Sequence, residues 1–164
     1  MTLERNFWVT ALALTCVFNS SQALADQDQA EVLAVADQAL DLITAENFAG
    51  LADLMLDDAI TVSTAVREGR HEVNLRTAAE QRVSKPSVDI VERGFDPTVL
   101  ISGTVAMTWY PYDIYIDGAW SHCGVDVFSM VRTDDGWRIA SMTWSTEQPP
   151  ACQPHPDGEP ISFK

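Results

Sequence analysis

Three polar side chains in the C-terminal half of the chain are candidates for acid–base chemistry. Asp113, His122 and Asp126 lie on either side of an Asp117-Gly118 turn. A carboxylate beside an imidazole orients a general base, and a carboxyl group in apolar surroundings holds its proton to an unusually high pH. The pattern indicates proton transfer next to a carbonyl, or a dehydration. Asp126 would be the acid or oxyanion donor, and His122 a base that Asp113 orients.

The Asp117-Gly118 turn predicts how the flanking strands pair. Asp-Gly between two alternating strands is typical of a two-residue β-hairpin loop. With that loop, Asp113 faces His122 and Asp126 faces Trp109. Side chains alternate along a strand, so large apolar residues share this face with the acid–base candidates. The predicted ligand-binding residues are Trp109, Tyr115, Trp120, Phe128, Met107 and Trp144.

The sequence leaves two questions about this face open: whether Trp144 belongs to it, and whether it lines the interior or faces solvent. Trp144 lies beside Asp126 if the next loop has three residues and beside Val127 if it has two, because one residue of slip turns a side chain to the other face. Asp113 and His122 also fit an exposed cross-strand pair, and Asp126 fits a carboxylate that faces solvent or binds a backbone amide. If the opposite face lines the interior, the pocket contains Tyr110, Tyr112, Val125 and Val127, and the acid–base hypothesis fails.

No other motif in the sequence points to a defined chemistry. His71 and His155 lie in loop-like contexts, and no His, Cys or Asp spacing matches a metal site. Neither a Gly-rich phosphate loop nor a Gly-x-Ser-x-Gly motif is present. We therefore predict no metal site and no cofactor.

The N-terminal segment has the three parts of a secretory signal peptide. A polar start with Arg5 precedes an apolar run from Phe7 to Phe18, and Ala23-Leu24-Ala25 is a small-residue cleavage pattern. The apolar run is shorter than the roughly 18 residues of a membrane span. We predict a signal peptide over 1–25, a mature start at Asp26, and an exported protein, periplasmic or secreted. The alternative is a buried N-terminal helix.

The formal net charge of −14 makes the chain strongly acidic. Such a surface repels phosphate backbones, so nucleic acid is excluded as a predicted partner. No other apolar run is long enough to span a bilayer, so no membrane span is predicted.

Two cysteines remain if the signal peptide is removed, Cys123 and Cys152. An even count in an oxidising compartment favours one disulfide. That bridge would pin a Pro-rich tail over 148–164, which cannot form a helix or a central strand. The alternative is two free thiols, with Cys123 a small buried residue.

The hydrophobic pattern predicts helices first and strands afterwards. Helical spacing of apolar residues covers Gln27 to Glu46, and a second short helix follows from Asn47 to Met55. Strands are predicted from β-branched and alternating segments, and a brief helix over 77–83 separates the second strand from the third. The strand segments are 59–66, 71–75, 88–94, 99–101 and the long hairpins from 104 onward. The predicted fold is α+β, with helices covering one face of a curved, mostly antiparallel sheet.

Several segments together resemble the nuclear transport factor 2-like superfamily, in its SnoaL-like branch. They are the long first helix, the strand end at Val66-Arg67-Glu68-Gly69, Trp109-x-Pro111-Tyr112, Asp117-Gly118, Ser121-His122-Cys123-Gly124-Val125-Asp126 and Gly136-Trp137-Arg138-Ile139. The resemblance implies a cone-shaped domain over 26–147, with an apolar pocket open at one end. It leaves the activity open, because members of the superfamily include isomerases, dehydratases and proteins that only bind partners.

Three functions are compatible with these features. The first is an exported module that binds a small, mostly apolar molecule in the cone pocket. The second is a lyase or isomerase that uses Asp126, His122 and Asp113. The third is an interaction domain that forms a homodimer through its sheet face and has no ligand.

Overall fold

The structure, a computed structural model, describes residues 15–161, with side chains from residue 22 onward. The elements follow in this order: α1 (Thr15–Thr44), α2 (Phe48–Asp53), β1 (Met55–Arg67), β2 (Arg70–Thr77), α3 (Ala78–Arg82), β3 (Ile90–Gly94), β4 (Thr98–Ser102), β5 (Val105–Ile116), β6 (Ala119–Thr133) and β7 (Gly136–Thr146). Within residues 15–161, no helix is long and apolar enough to cross a membrane.

The described strands form one sheet in the order β2-β1-β7-β6-β5-β3, with β4 paired to the first half of β5. All neighbours are antiparallel except β1 and β7, which are parallel. The three helices cover one face of the sheet, which is called the inner face. The opposite face of the sheet is called the outer face. The predicted α+β class, with N-terminal helices on a curved and mostly antiparallel sheet, is confirmed.

Helix α1 packs on the inner face through one apolar stripe. Val32, Ala36, Ala39, Leu40 and Ile43 are buried at the three- and four-residue spacing of a helix face. Each large aliphatic side chain buried this way contributes about 1.5–3 kcal/mol. The stripe anchors the helix over β3, β4, β5 and β7.

The predicted signal peptide lies mostly outside the described residues. Its residues 15–25 continue α1, and the described side chains from 22 to 25 are exposed. The first buried side chain of the helix is Val32, well after the predicted mature start at Asp26. Cleavage at residue 25 would therefore leave the packed stripe intact, and the signal peptide stays a prediction.

Two short helices close one end of the sheet. The side chain of Asn47 caps α2 by accepting a hydrogen bond from the Gly50 N–H. Helix α3 begins with a capping box between Thr77 and Glu80. These caps satisfy free N–H groups at the helix starts and fix the direction in which each helix leaves the sheet. Gln81 of α3, a helix that packs on β1 and β2, is buried.

The β5–β6 hairpin has the predicted turn but not the predicted register. Asp117 and Gly118 both have positive φ, 50° and 76°, as the two-residue loop requires. The expected pairing holds for Ile116 with Ala119 and ends after the next pair, because a bulge shifts the register by one residue.

The bulge overturns the predicted pairing of Asp113 with His122. Asp113 pairs with Cys123, and His122 pairs with Ile114. Directly paired residues share a face, so Asp113 lies on the outer face while His122 lies on the inner face. Asp113 therefore cannot orient His122. Asp126 likewise pairs with Tyr110 rather than Trp109.

The β6–β7 hairpin contains a compensating shift. Its loop has two residues, Asp134 and Asp135, since Thr133 pairs with Gly136, and this pairing alone would place Trp144 beside Val125. A second irregularity between Ser129 and Met130 moves the register by one residue. Trp144 therefore pairs with Asp126, as the three-residue alternative had required.

The predicted disulfide holds the Pro-rich tail, and the structure places that attachment on the outer face. A disulfide joins Cys123 to Cys152. The fully buried Asp113 carboxylate accepts hydrogen bonds from Arg93 Nε and Nη2 at 3.0 and 2.7 Å, and from the His155 N–H at 3.0 Å. Asp113 thus joins β3, β5 and the tail, which is a structural role.

Candidate functional site

An inner cavity of about 240 Å³ lies between the helices and the inner face of the sheet. Most of its wall is apolar, from α1, α2, β3, β5 and β7. The apolar and aromatic lining residues are Ile43, Phe48, Leu51, Ile90, Tyr112, Ile114, Met142 and Trp144. The polar ones are Thr61, Ser63, Arg76, Gln81, Glu92, His122, Asp126 and Thr146.

Two carboxyl groups in this cavity interact directly. Glu92 from β3 is brought to the inner face by its pairing with Ile114. Burial raises the pKa of Glu92 from 4.5 to about 7, and a hydrogen bond from Asp126 partly offsets that rise. The pKa of Asp126 is raised well above its usual 3.8 by burial and then by the charge of Glu92. Within this pair Asp126 is therefore the hydrogen-bond donor and the Glu92 carboxylate is the acceptor.

Three buried polar atoms around the cavity have no hydrogen-bond partner among the described residues. They are Thr61 Oγ1, Gln81 Oε1 and Asp126 Oδ2. Their residues are 1%, 4% and 3% exposed, respectively. A buried polar group without a partner costs about 1–3 kcal/mol, so these atoms are available to a bound molecule.

His122 lines the cavity as a neutral base. Burial lowers the pKa of its imidazole, and the positive charge of Arg67 lowers it further. Its Nδ1 lies 2.9 Å from Ser121 Oγ. The ring stands edge-on to Tyr112, with centroids 5.9 Å apart. A neutral imidazole at physiological pH can accept a proton from a bound molecule.

Tyr112 supports this arrangement. Its hydroxyl donates a hydrogen bond to the Ser145 carbonyl at 2.9 Å. Burial raises the pKa of Tyr112, and the nearby Asp126 and Glu92 raise it further. Tyr112 therefore stays neutral and holds the cavity wall against β7.

His122 and Asp126 reach the cavity from two points of one strand. They are four residues apart on β6 and face the same side, so their Cα atoms are about 13 Å apart along the strand. They do not touch, but a molecule in the cavity can contact both. The geometry allows an acid and a base at opposite ends of one ligand.

The predicted ligand-binding residues separate into two groups. Trp144 lines the cavity, and the fully buried Phe128 lies on the inner face in the core. The prediction is wrong for Trp109, Met107, Tyr115 and Trp120. With the observed register, these residues and their cross-strand partners lie on the outer face, away from the cavity. Trp109 is 50% exposed there. Arg93 lies over the Tyr115 ring, 5.4 Å from its centroid.

Sequence reasoning missed several cavity residues, among them Glu92, Thr61, Gln81 and Arg76. Glu92 lies within the predicted strand 88–94 and alternates with Ile90, so the sequence placed it on an apolar face. A carboxylate at such a position is a signal for burial or function. Its neighbour Asp126 comes from a different strand, and no local pattern connects the two.

No group of three or more His, Cys, Asp or Glu residues in the described part of the chain is arranged to hold a metal ion.

Residues 32–149 match the family model of a SnoaL-like domain. No curated protein matches the chain. Similar solved structures include an NTF2-like protein with a cystatin-like fold from Novosphingobium aromaticivorans. It has 13% identity and a TM-score of 0.62, and the match covers 83% of this chain and 92% of that one.

Two other solved structures have the same architecture. One, described as a proposed dehydratase of the NTF2-like family, comes from Streptomyces avermitilis; it has 20% identity and a TM-score of 0.59 over 74% of this chain and 97% of that one. The other, an NTF2-like superfamily protein from Salmonella enterica, has 12% identity and a TM-score of 0.60 over 77% and 95%. At these identities the likeness shows the fold alone.

Proposed function

The chain belongs to the SnoaL-like family of the NTF2-like superfamily, and we propose that it binds a small, mostly apolar molecule in the inner cavity. The three unpartnered atoms of Thr61, Gln81 and Asp126 support this proposal most directly. They face a mostly apolar space that also holds a few other polar groups, which is the usual composition of a ligand site. A bound molecule with a few polar groups would satisfy them and displace water from the apolar wall.

A fluorescence titration tests this binding. The probe is N-phenyl-1-naphthylamine, a neutral aromatic amine whose emission rises in apolar surroundings. We expect saturable binding to the wild-type protein and its loss in Ser63→Phe, because Ser63 lines the cavity and the phenyl ring would fill it. Ser102→Phe, a matched change at an exposed position on β4, should bind normally. Equal affinity in both variants would place the probe elsewhere and contradict the proposal.

A second candidate function is a lyase or isomerase, and the Glu92–Asp126 pair favours it. The proton that Asp126 shares with Glu92 would turn to a bound substrate, so that Asp126 donates a hydrogen bond to a carbonyl or the proton to a departing hydroxyl. The neutral His122 would take a proton from the adjacent carbon. In a dehydration, the C–H electrons form the double bond while the C–O bond breaks and water leaves.

Exchange of substrate protons with solvent tests this chemistry without knowledge of the product. We would follow α-proton loss from a panel of cyclic ketones and β-hydroxy ketones in D₂O by NMR. Asp126→Asn and His122→Ala should each reduce any protein-dependent exchange by about a hundredfold or more. The exposed controls Asp134→Asn and His71→Ala should retain it. Unchanged exchange in both cavity variants would rule the mechanism out.

Export is a further part of the proposal. It is supported by the signal-peptide pattern and by the Cys123–Cys152 disulfide, which persists in oxidising compartments. A chain expressed in a bacterium with its own N-terminus should begin at Asp26 by mass spectrometry. An intact N-terminus on the folded protein would contradict export by this route.

A homodimer through the outer face also remains a proposal. Leu100, Val105 and Trp109 expose apolar surface there, at 57%, 56% and 50%. Trp109→Glu should convert a dimer to a monomer in light scattering. A wild-type protein that is monomeric at high concentration would contradict the dimer.

A further inference from the structure

Arg76 is the cation that lines the inner cavity, and it stands on the edge strand at the cavity rim. It pairs directly with Thr61, so the two side chains share the inner face with Cβ atoms about 5 Å apart. Arg76 is exposed and forms no ion pair with the described residues. Its charge helps lower the pKa of Glu80, after the hydrogen bonds from Thr77 that hold that carboxylate in the α3 capping box.

Two of the unpartnered polar residues belong to the same corner of the cavity. Thr61 lies opposite Arg76, and Gln81 comes from α3, which packs on β1 and β2. The Thr61 hydroxyl can donate as well as accept, and the oxygen and nitrogen of a Gln amide are assigned from their surroundings. With no partner to fix it, the Gln81 amide can present its N–H₂ group. Arg76, Thr61 and Gln81 then form a set of donors facing one space.

We propose that this corner binds the anionic end of the ligand, so that the ligand is a small apolar acid with its carbonyl or hydroxyl end at Asp126. The inference rests on the proposed ligand-binding function and names the class of molecule. A carboxylate or other oxyanion matches an Arg guanidinium together with hydroxyl and amide donors.

The other charges in the cavity set the direction in which such a molecule enters. Glu92 and Asp126 lie at the far side, on β3 and β6, and a partly ionised acid pair repels a second anion. The anion therefore stays at the rim beside Arg76. From β2 to β6 the sheet spans three strand spacings, about 14 Å along its surface and less across its curve. An aromatic or alicyclic acid of about two rings fits that span.

A matched pair of probes separates this inference from the binding it rests on. N-phenyl-1-naphthylamine and 1-anilinonaphthalene-8-sulfonate share one aromatic body, and only the second carries an anion. The test variant is Arg76→Gln. The control is Arg70→Gln, which removes the same charge from the same exposed strand at a position that does not line the cavity.

We expect Arg76→Gln to weaken sulfonate binding about fivefold, which is the scale of one partly exposed charge pair. Binding of the neutral amine should not change, and Arg70→Gln should change neither. Added salt should weaken only the sulfonate. If Arg76→Gln leaves sulfonate binding unchanged, or if Arg70→Gln weakens it equally, the anion site is refuted while the cavity remains a binding site. If neither probe binds the wild-type protein, the proposed function fails as well.

Discussion

Replacing Glu92 with glutamine should stabilise the fold at alkaline pH and leave it almost unchanged near pH 4. In the folded protein burial raises the pKa of Glu92 to about 7, against 4.5 when the chain is unfolded. Between those values the folded state retains a proton that the unfolded state has released. The unfolded state therefore binds fewer protons, and stability falls as pH rises through this window.

The size of the effect follows from the two pKa values. Each pKa unit corresponds to about 1.4 kcal/mol, so ionising Glu92 destabilises the folded state by about 3 kcal/mol above pH 7. Glutamine has a similar shape and no charge to desolvate. Glutamine also removes the Glu92 charge that raises the pKa of Asp126. The folded state then loses less stability when Asp126 ionises, so this change also favours the variant at high pH. The stability difference between variant and wild type should thus be near zero at pH 4, grow from pH 4.5 to 7, and then level off.

Urea unfolding at pH 4, 5.5, 7 and 8.5 measures this difference, with the disulfide intact throughout. Groups outside the Glu92–Asp126 pair titrate equally in both proteins and cancel. Glu68→Gln is the matched control, because this carboxylate is exposed in the β1–β2 turn and lies outside the cavity, so its replacement should not reproduce the Glu92→Gln profile. A Glu92→Gln effect that does not vary between pH 4 and 8.5 would refute the coupled acid pair.

Three further predictions concern the framework around the cavity. Asp113→Ala should lower the free energy of unfolding in urea by about 3–5 kcal/mol, because it leaves Arg93 without its partner. The affinity for the neutral amine should stay unchanged. Loss of binding without loss of stability would instead show that Asp113 acts at the ligand site. Cys152→Ser should lower the free energy of unfolding by about 3–4 kcal/mol, because it opens the loop that the disulfide to Cys123 closes. A reductant should bring the wild-type protein to the same stability. A stability difference that survives reduction would contradict this prediction. Gly124→Ala should lower the free energy of unfolding by about 1–3 kcal/mol or more, because a Cβ there would lie 2.1 Å from the Ser145 carbonyl oxygen. A variant as stable as the wild type would show that β6 and β7 move apart at little cost.

Local signals in the sequence were sufficient for the elements and for one turn. The Asp117-Gly118 loop forms as predicted, because positive φ at both positions is encoded by the two residues themselves. Helix α1 follows from its apolar stripe, although the described helix already includes Thr15, well before the predicted start at Gln27. The disulfide between Cys123 and Cys152 was also predictable, from cysteine count and compartment.

Cross-strand pairing was not predictable from the same signals. A bulge tolerates most residue types, and nothing in the sequence around Ser121 distinguishes it from a regular strand. One shifted residue moved Asp113 to the outer face together with the aromatic residues predicted to bind a ligand. His122 and Asp126 remained together on the inner face because both belong to β6. Positions within one strand are therefore reliable, whereas partners across strands depend on the whole sheet.

The two buried aspartates of the hairpin show why the inner cavity is the better candidate for function. Asp113 accepts three hydrogen bonds from Arg93 and His155, so its charge is fully satisfied. Asp126 interacts with another acid, and its Oδ2 has no partner among the described residues. The hydrogen bonds of Asp113 stabilise the fold. The unpartnered Asp126 lowers stability until a bound molecule forms a hydrogen bond with its Oδ2 atom. The acid pair of Glu92 and Asp126, rather than the predicted pair of Asp113 and His122, is thus the place to look for a ligand.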